Sequence, residues 1–195
     1  MQQIYLDNAA TTPVRPEVEE VMQPYFCEKY GHPSGIYKMA SECRQALETV
    51  RKQIGKTLKV SAEEIYFTSG GTESDNWAIK STAQRLKEKG KHIITSKIEH
   101  HAVLNSCAYL ETQGFEVTYL DVDEWGCVRF DALQRAIRKD TILISIMYAN
   151  NEVGTIQPIG QIGKIAKEND IFFHTDAVQA YGQIPIDVKR ENIHL

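Results

Sequence analysis

Four clusters carry the polar side chains whose types and spacing could do chemistry: Ser69-Gly70-Gly71-Thr72, Glu99-His100-His101, Tyr148-Ala149-Asn150-Asn151 and Thr175-Asp176-Ala177-Val178-Gln179. In the first, Gly70 and Gly71 let the backbone approach an anion, Thr72 offers a hydroxyl, and the free N–H groups of a following helix would point to the same place. An ordinary strand-to-helix turn accounts for that cluster equally well. The other three supply imidazoles, amides and a carboxylate, and each has a plainer reading. Asp176 can be the N-cap of the next helix, His100 a surface residue at a helix start, and Asn150 with Asn151 the shapers of a turn leading to Gly154. Jointly, a phosphate cradle, a flat ring able to stack and a buried carboxylate opposite a cation suit a phosphorylated pyridinium cofactor.

The elements that must position these clusters are legible from hydrophobic periodicity. A short strand runs from Ile4 into a polar loop stopped by Pro13 and Pro16, and one helix then carries Val18, Val21, Met22, Tyr25 and Phe26 on one face. After the loop Tyr30-Gly31-His32-Pro33-Ser34-Gly35, a long helix is predicted from Tyr37 to Lys59. From Ile65 onward the pattern alternates. Strands are expected at Ile65 to Thr68, His92 to Ser96, Val117 to Leu120, Ile142 to Met147 and Ile171 to His174. Between them, helices are carried by Ile79 to Leu86, Val103 to Leu110, Leu133 to Ile137 and Ile162 to Ala166. Such alternation implies an α/β fold, a mainly parallel sheet with helices on both faces. Ligands of such sheets bind outside the carboxyl ends of the strands, which is where the four clusters fall.

Composition narrows the function classes. The 195 residues, 42% hydrophobic and 25% charged, can bury a substantial core. A net charge of −4 and a sequence pI near 5.9 give no footprint for nucleic acid or an anionic membrane, and no apolar run is long enough to span a bilayer. The start Met1-Gln2-Gln3-Ile4 has no secretory pattern, so a cytoplasmic location is expected. Cys27, Cys43, Cys107 and Cys127 show no metal-type spacing, and no metal site is expected; Cys43 and Cys107 fall on apolar helical stripes as small buried thiols.

Several segments carry a family resemblance. They are Tyr5-Leu6-Asp7-Asn8-Ala9-Ala10-Thr11-Thr12-Pro13, Gly31-His32-Pro33-Ser34, Phe67 to Asn76, His92 to Ser96, Glu99-His100, Asn150 to Gly154 and His174 to Gln179, in that order along the chain. The chain resembles the amino-terminal half of a cysteine desulfurase of the NifS/IscS family, pyridoxal 5'-phosphate enzymes with the fold-type I, aminotransferase-like architecture. The resemblance implies that Gly71 and Thr72 hold the cofactor phosphate, and that His100 stacks on the pyridine ring and can shuttle protons. It further implies that Asp176 pairs with the ring nitrogen, that Gln179 donates to the phenolic oxygen, and that Asn151 lies near that oxygen and the substrate carboxylate. In the family, L-cysteine loses its sulfur to a mobile-loop cysteine, leaving L-alanine and a persulfide for iron–sulfur cluster or thio-cofactor assembly through an acceptor or scaffold protein. The family forms homodimers. Selenocysteine lyases and other class V aminotransferases are the nearest alternative activities.

The same resemblance places the family's Schiff-base lysine beyond Leu195. Residues 1–15 are then expected to be an amino-terminal arm and residues 16–195 an incomplete cofactor-binding large domain, with the small domain, the substrate-binding arginine and the nucleophilic loop absent. Lys189 is read as a solvated surface residue, and none of the four cysteines matches the nucleophilic loop. Two readings stay open: half of a split or truncated desulfurase that pairs with its missing half, or a catalytically silent domain acting through protein contacts.

Overall fold

The computed structural model describes residues 4–195. The chain divides into two compact units, one ending at Ile65 and one running from Tyr66 to Leu195. Each is described by itself.

The first unit is helical. Helix α1 (Pro16–Met22) and helix α2 (Pro24–Cys27) stand where one helix was expected. Pro24 has no N–H to give to the preceding turn, so the ladder breaks there. The stretch from Ile4 into the polar loop, expected to begin as a strand, forms none and leaves Ile4, Tyr5 and Leu6 exposed. Helix α3 (Lys38–Leu58) fits the predicted span to within a residue at each end and closes on Lys59 in the left-handed conformation. Gly31 precedes it where a Cβ would lie 2.7 Å from the Met39 carbonyl, a close approach that requires glycine.

The second unit holds the sheet. Helix α4 (Gly71–Leu86) leads to β1 (His92–Ser96), α5 (His101–Thr112), β2 (Glu116–Leu120), α6 (Phe130–Ala136), β3 (Thr141–Ser145), α7 (Ile159–Glu168) and β4 (Phe172–His174). The strands are all parallel in the order β2-β1-β3-β4. Every residue of β1 and β3 is buried, which explains why Ile142 to Met147 reads as a nearly continuous apolar run rather than an alternating one. The core is built from Ile79 and Ala83 of α4, Val103, Cys107 and Leu110 of α5, and Ile93, Ile142 and Leu143 of the two central strands. Burying such side chains contributes roughly 1.5–3 kcal/mol each. Cys43 and Cys107 are buried as expected, and burial pushes the Cys107 thiol up to about 12, so it is inert at neutral pH.

The expected strand at Ile65 to Thr68 is a correction. No ladder forms there, and Tyr66 and Phe67 are exposed. Alternation of β-branched and aromatic residues makes a strand only where a neighbour supplies the hydrogen-bond partners, and the described sheet stops at four strands. At the other edge, the Leu195 N–H donates to the Phe173 carbonyl at 3.2 Å and the Leu195 carbonyl accepts from the Thr175 N–H at 3.1 Å. The last residues therefore run alongside β4.

The strand order carries the functional geometry. From β1 the chain moves outward to β2, then returns past β1 to β3. The crevice between the carboxyl ends of β1 and β3 is therefore the switch point where open α/β sheets bind ligands.

Candidate functional site

At that switch point the first polar anchor is Glu99. Ser96, the last residue of β1, donates its hydroxyl to Glu99 Oε1 at 2.5 Å, and the Met147 N–H just after β3 donates to both carboxylate oxygens at 3.0 Å. One buried carboxyl thus ties the ends of the two central strands together. Burial pushes it up to about 8 against the pull of these donors, and the nearby Asp176 and Asp75 add to the rise.

Glu99 fixes the start of α5, whose N-cap is His100. The His100 Nδ1 accepts from the Ala102 N–H at 3.1 Å, which leaves the imidazole proton on Nε2 in the neutral ring. The ring itself is exposed. His100 therefore caps a helix and keeps its ring exposed.

Beyond β4, the Tyr148 N–H donates to the Asp176 backbone carbonyl at 2.8 Å, and Asp176 Oδ1 accepts from the Val178 N–H at 3.0 Å. Asp176 shapes a turn; no helix follows it, so the N-cap reading fails. The carboxyl is buried, and burial holds it above the usual aspartate range, opposed by the Val178 N–H and reinforced by Asp75. Gln179 lies exposed in the same turn.

The glycine turn before α4 meets this loop. A Cβ on Gly71 would sit 2.8 Å from Val178 Cγ2, while one on Gly70 would have nothing within 4 Å. The N-terminus of α4 has no side-chain cap on its N-cap residue. Glu73 is held within the same turn: Ser69 donates to its Oε2 through N–H at 2.6 Å and hydroxyl at 2.7 Å. These bonds hold the Glu73 carboxyl below its ordinary range.

In the remaining cluster, Asn150 is the buried member. Its amide donates to the Ile98 carbonyl at 2.9 Å, and its Oδ1 accepts from the Glu152 and Val153 N–H groups at 2.9 Å each. That is the turn-shaping role. Asn151 is half-buried and donates to Glu152 Oε1 at 3.0 Å. Lys189 is exposed, as expected.

Two further residues belong to the site. Asp75 of α4 is buried, and one donor atom each of Asp75, His100 and Asp176 lie within 4.8 Å of one another. His174, at the end of β4, places Nε2 3.5 Å from Asp75 Oδ1, and its Nδ1 shares a hydrogen with Ser145 Oγ at 2.8 Å. The sequence held a signal for Asp75. It stands four residues before Ile79, on the helical stripe that faces the core, where an aspartate is costly unless it has work to do.

The residues fit the phosphorylated pyridinium group. Asp75 and Asp176 put two buried carboxyls beside a space flanked by the open face of His100. Thr175 Oγ1 is buried with no hydrogen-bond partner among the described residues. A cationic, hydrogen-bonding ring answers both features, and the uncapped helix start beside Val178 offers N–H groups to its phosphate.

Residues 4–195 match the aminotransferase class-V family, and the chain belongs to it. It is 64% identical over 192 residues to the cysteine desulfurase IscS of Methanosarcina thermophila, covering 98% of this chain and 48% of that protein. To the cysteine desulfurase IscS of Dictyoglomus turgidum it is 58% identical over 194 residues, covering 100% of this chain and 49% of that one. Among solved structures, a NifS-like protein superposes with a TM-score of 0.95 at 42% identity, over 98% of this chain and 53% of its own. SspA in complex with cysteine does so at 0.93 and 44% identity, over 97% and 55%. The chain spans about half the length of the curated relatives it matches.

Proposed function

We propose that this chain is the cofactor-ring-binding part of a cysteine desulfurase that uses pyridoxal 5'-phosphate to take sulfur from L-cysteine, leaving L-alanine. The observation that carries the reading is the buried Asp176 carboxyl at the end of the parallel sheet, facing His100 across less than 4.8 Å, in a chain similar to cysteine desulfurases along its whole described length. Bound pyridoxal phosphate supplies an electron sink for the bond electrons released at the substrate Cα.

The chain's own residues divide the remaining work. The N–H groups at the start of α4, with Gly71 and the Thr72 hydroxyl, would hold the phosphate. Asp176 keeps its Oδ1 on the Val178 N–H, so Oδ2 is the oxygen free to hold a ring proton. His100 would lie against the ring, and its Nε2 is the atom that could carry a proton to or from the substrate. Asn151 and Gln179 lie in the flanking turns, from which their amides can reach the ring oxygen. Glu99 keeps the β1 and β3 ends at a fixed separation beneath the site.

The whole protein's substrate, partners and location follow as part of the same proposal: L-cysteine, a sulfur-acceptor or scaffold protein, a homodimer or association with a complementary polypeptide, and the cytoplasm. The test joins this chain to a polypeptide carrying the remaining length of a curated relative, supplies pyridoxal phosphate, L-cysteine and a thiol reductant that releases the persulfide sulfur as sulfide, and measures sulfide and alanine. Equimolar sulfide and alanine are expected. Pyruvate and ammonia in place of alanine, with the sulfur leaving as sulfide, would move the protein to another class V activity, and selenide formation from selenocysteine alone would make it a lyase of that substrate.

A further inference from the structure

We infer that Asp75 is a positioning residue that acts through Asp176: held against His174, it keeps a second buried carboxylate beside Asp176 and so raises the proton affinity of the ring nitrogen that Asp176 receives. The inference rests on the reading of Asp176 as the ring-nitrogen partner.

The geometry is a chain of contacts across the carboxyl end of the sheet. Ser145 of β3 and His174 of β4 share a hydrogen at 2.8 Å, and His174 turns its other nitrogen to Asp75 of α4 at 3.5 Å. Ser145, His174 and Asp75 are all buried. Asp75 is thereby prevented from turning away, and its carboxylate stays within 4.8 Å of Asp176 and His100.

Two carboxylates this close, shielded from water, repel each other, and the repulsion is relieved by a proton or a cation placed between them. A pyridine ring arriving at Asp176 supplies a site for that proton. Asp75 need not touch the ring to act on it, because its charge is felt through several ångströms of a poorly screening interior. The other groups facing the pair are His174 from β4, His100 from α5 and Glu99 from the β1–α5 turn. Glu99 adds negative potential when ionised and the histidines oppose it when protonated. A single carboxylate would be enough to dock a ring already protonated; a second one, held by its own relay and not by the ligand, is what keeps the ring protonated as pH rises.

The test uses pyridoxine 5'-phosphate, an analogue without the aldehyde, which needs no lysine and whose ultraviolet band reports protonation of the ring nitrogen. The probe is titrated with pH while bound to the chain and to variants whose folding has been checked by circular dichroism. In the unaltered chain the midpoint for loss of the ring proton lies above that of the free probe. Asp75→Asn lowers that midpoint by about one pH unit or more, while the binding contributed by the phosphate stays within a fewfold. Ser145→Ala, which only loosens His174, lowers it less, and serves where Asp75→Asn does not fold. An Asp75→Asn midpoint equal to that of the unaltered chain, with Asp176→Asn lowering it, overturns the inference and leaves the reading of Asp176 intact. If Asp176→Asn leaves the midpoint of bound probe where it was, or the unaltered chain does not bind the probe, the reading of the site fails and the inference with it.

Discussion

The two ends of the same sheet are built with the same device and put to different uses. At the amino end, buried His92 of β1 joins Thr141 of β3 through Nδ1 at 2.7 Å and Thr118 of β2 through Nε2 at 2.8 Å. At the carboxyl end, buried His174 joins Ser145 of β3 to Asp75 of α4. His92 has only hydroxyl partners, and burial holds its proton affinity below the usual histidine range. Its charged neighbours, Arg138 with Glu116 and Asp140, pair with one another on the surface. His174 instead faces two buried carboxyls, Asp75 and Asp176, that the chain does not itself neutralise with lysine or arginine among the described residues. One end is finished as folded. The other is left short of a cation, which is the mark of a place for a ligand.

The sharpest way to break this contrast is at the finished end. His92→Ala leaves a cavity and two threonine hydroxyls without their shared partner, and is expected to cost about 2–4 kcal/mol of stability in urea denaturation. Folded variant should bind pyridoxal phosphate with unchanged affinity; weakened binding would mean that the two ends are coupled. Asp176→Asn has the opposite signature. It should lower pyridoxal phosphate affinity roughly ten- to a hundredfold, the worth of a charge-assisted hydrogen bond, in a fluorescence titration. Its melting temperature should hold or rise, since a buried, desolvated carboxyl has been removed.

The pH response sharpens the comparison further. His92 is harder to protonate folded than unfolded, so the unfolded chain takes up the extra proton and stability falls as pH drops below about 6.5. Glu99 holds its proton up to about 8 rather than 4.5, so the unfolded chain loses that proton first and stability falls as pH rises between those values. Glu99→Gln should therefore flatten the alkaline limb of a stability-versus-pH curve, an effect of several kcal/mol over the full span, and leave the acid limb in place. An alkaline limb unchanged in Glu99→Gln would show that Glu99 is ionised throughout.

The smallest expected effect is at Gly71. Among the described residues, the only atom within reach of an added Cβ is the tip of Val178, an exposed side chain. Gly71→Ala should leave the melting temperature within a degree or two or raise it, because alanine favours the helix, while weakening phosphate-dependent binding severalfold. Equal binding would place the phosphate away from this turn.

Much of the fold was legible in the chain. β1, β2, β3 and β4 and helices α3 to α7 announce themselves by apolar runs and helical stripes, because a buried element must be apolar wherever it meets its neighbours. The failures have two causes. Ile65 to Thr68 and the stretch after Ile4 have the residues of strands but no partner strand among the described residues, and Pro24 divides a stripe that periodicity alone joins. Of the site, Gly71, Thr72, His100, Asn151, Asp176 and Gln179 were named from their places after strands and from the family resemblance. The structure brings His100 and Asp176 together, and sets Val178, in the turn after Asp176, against Gly71. Asp75 and His174 escaped because one lies inside a helix and the other inside an apolar strand, where residue type is normally a matter of packing.

By itself, then, the sequence determined the alternation of strands and helices, the places where polar clusters follow strands, and membership of a family, since all of these depend on the local order of residue types. Only the tertiary structure decided the strand order that opens a crevice between β1 and β3, the approach of Asp75 in α4 to Asp176 after β4, and the separation of a self-satisfied histidine from one left facing unbalanced carboxyls. Those depend on which residues distant in the chain become neighbours, and on how much water is excluded when they do.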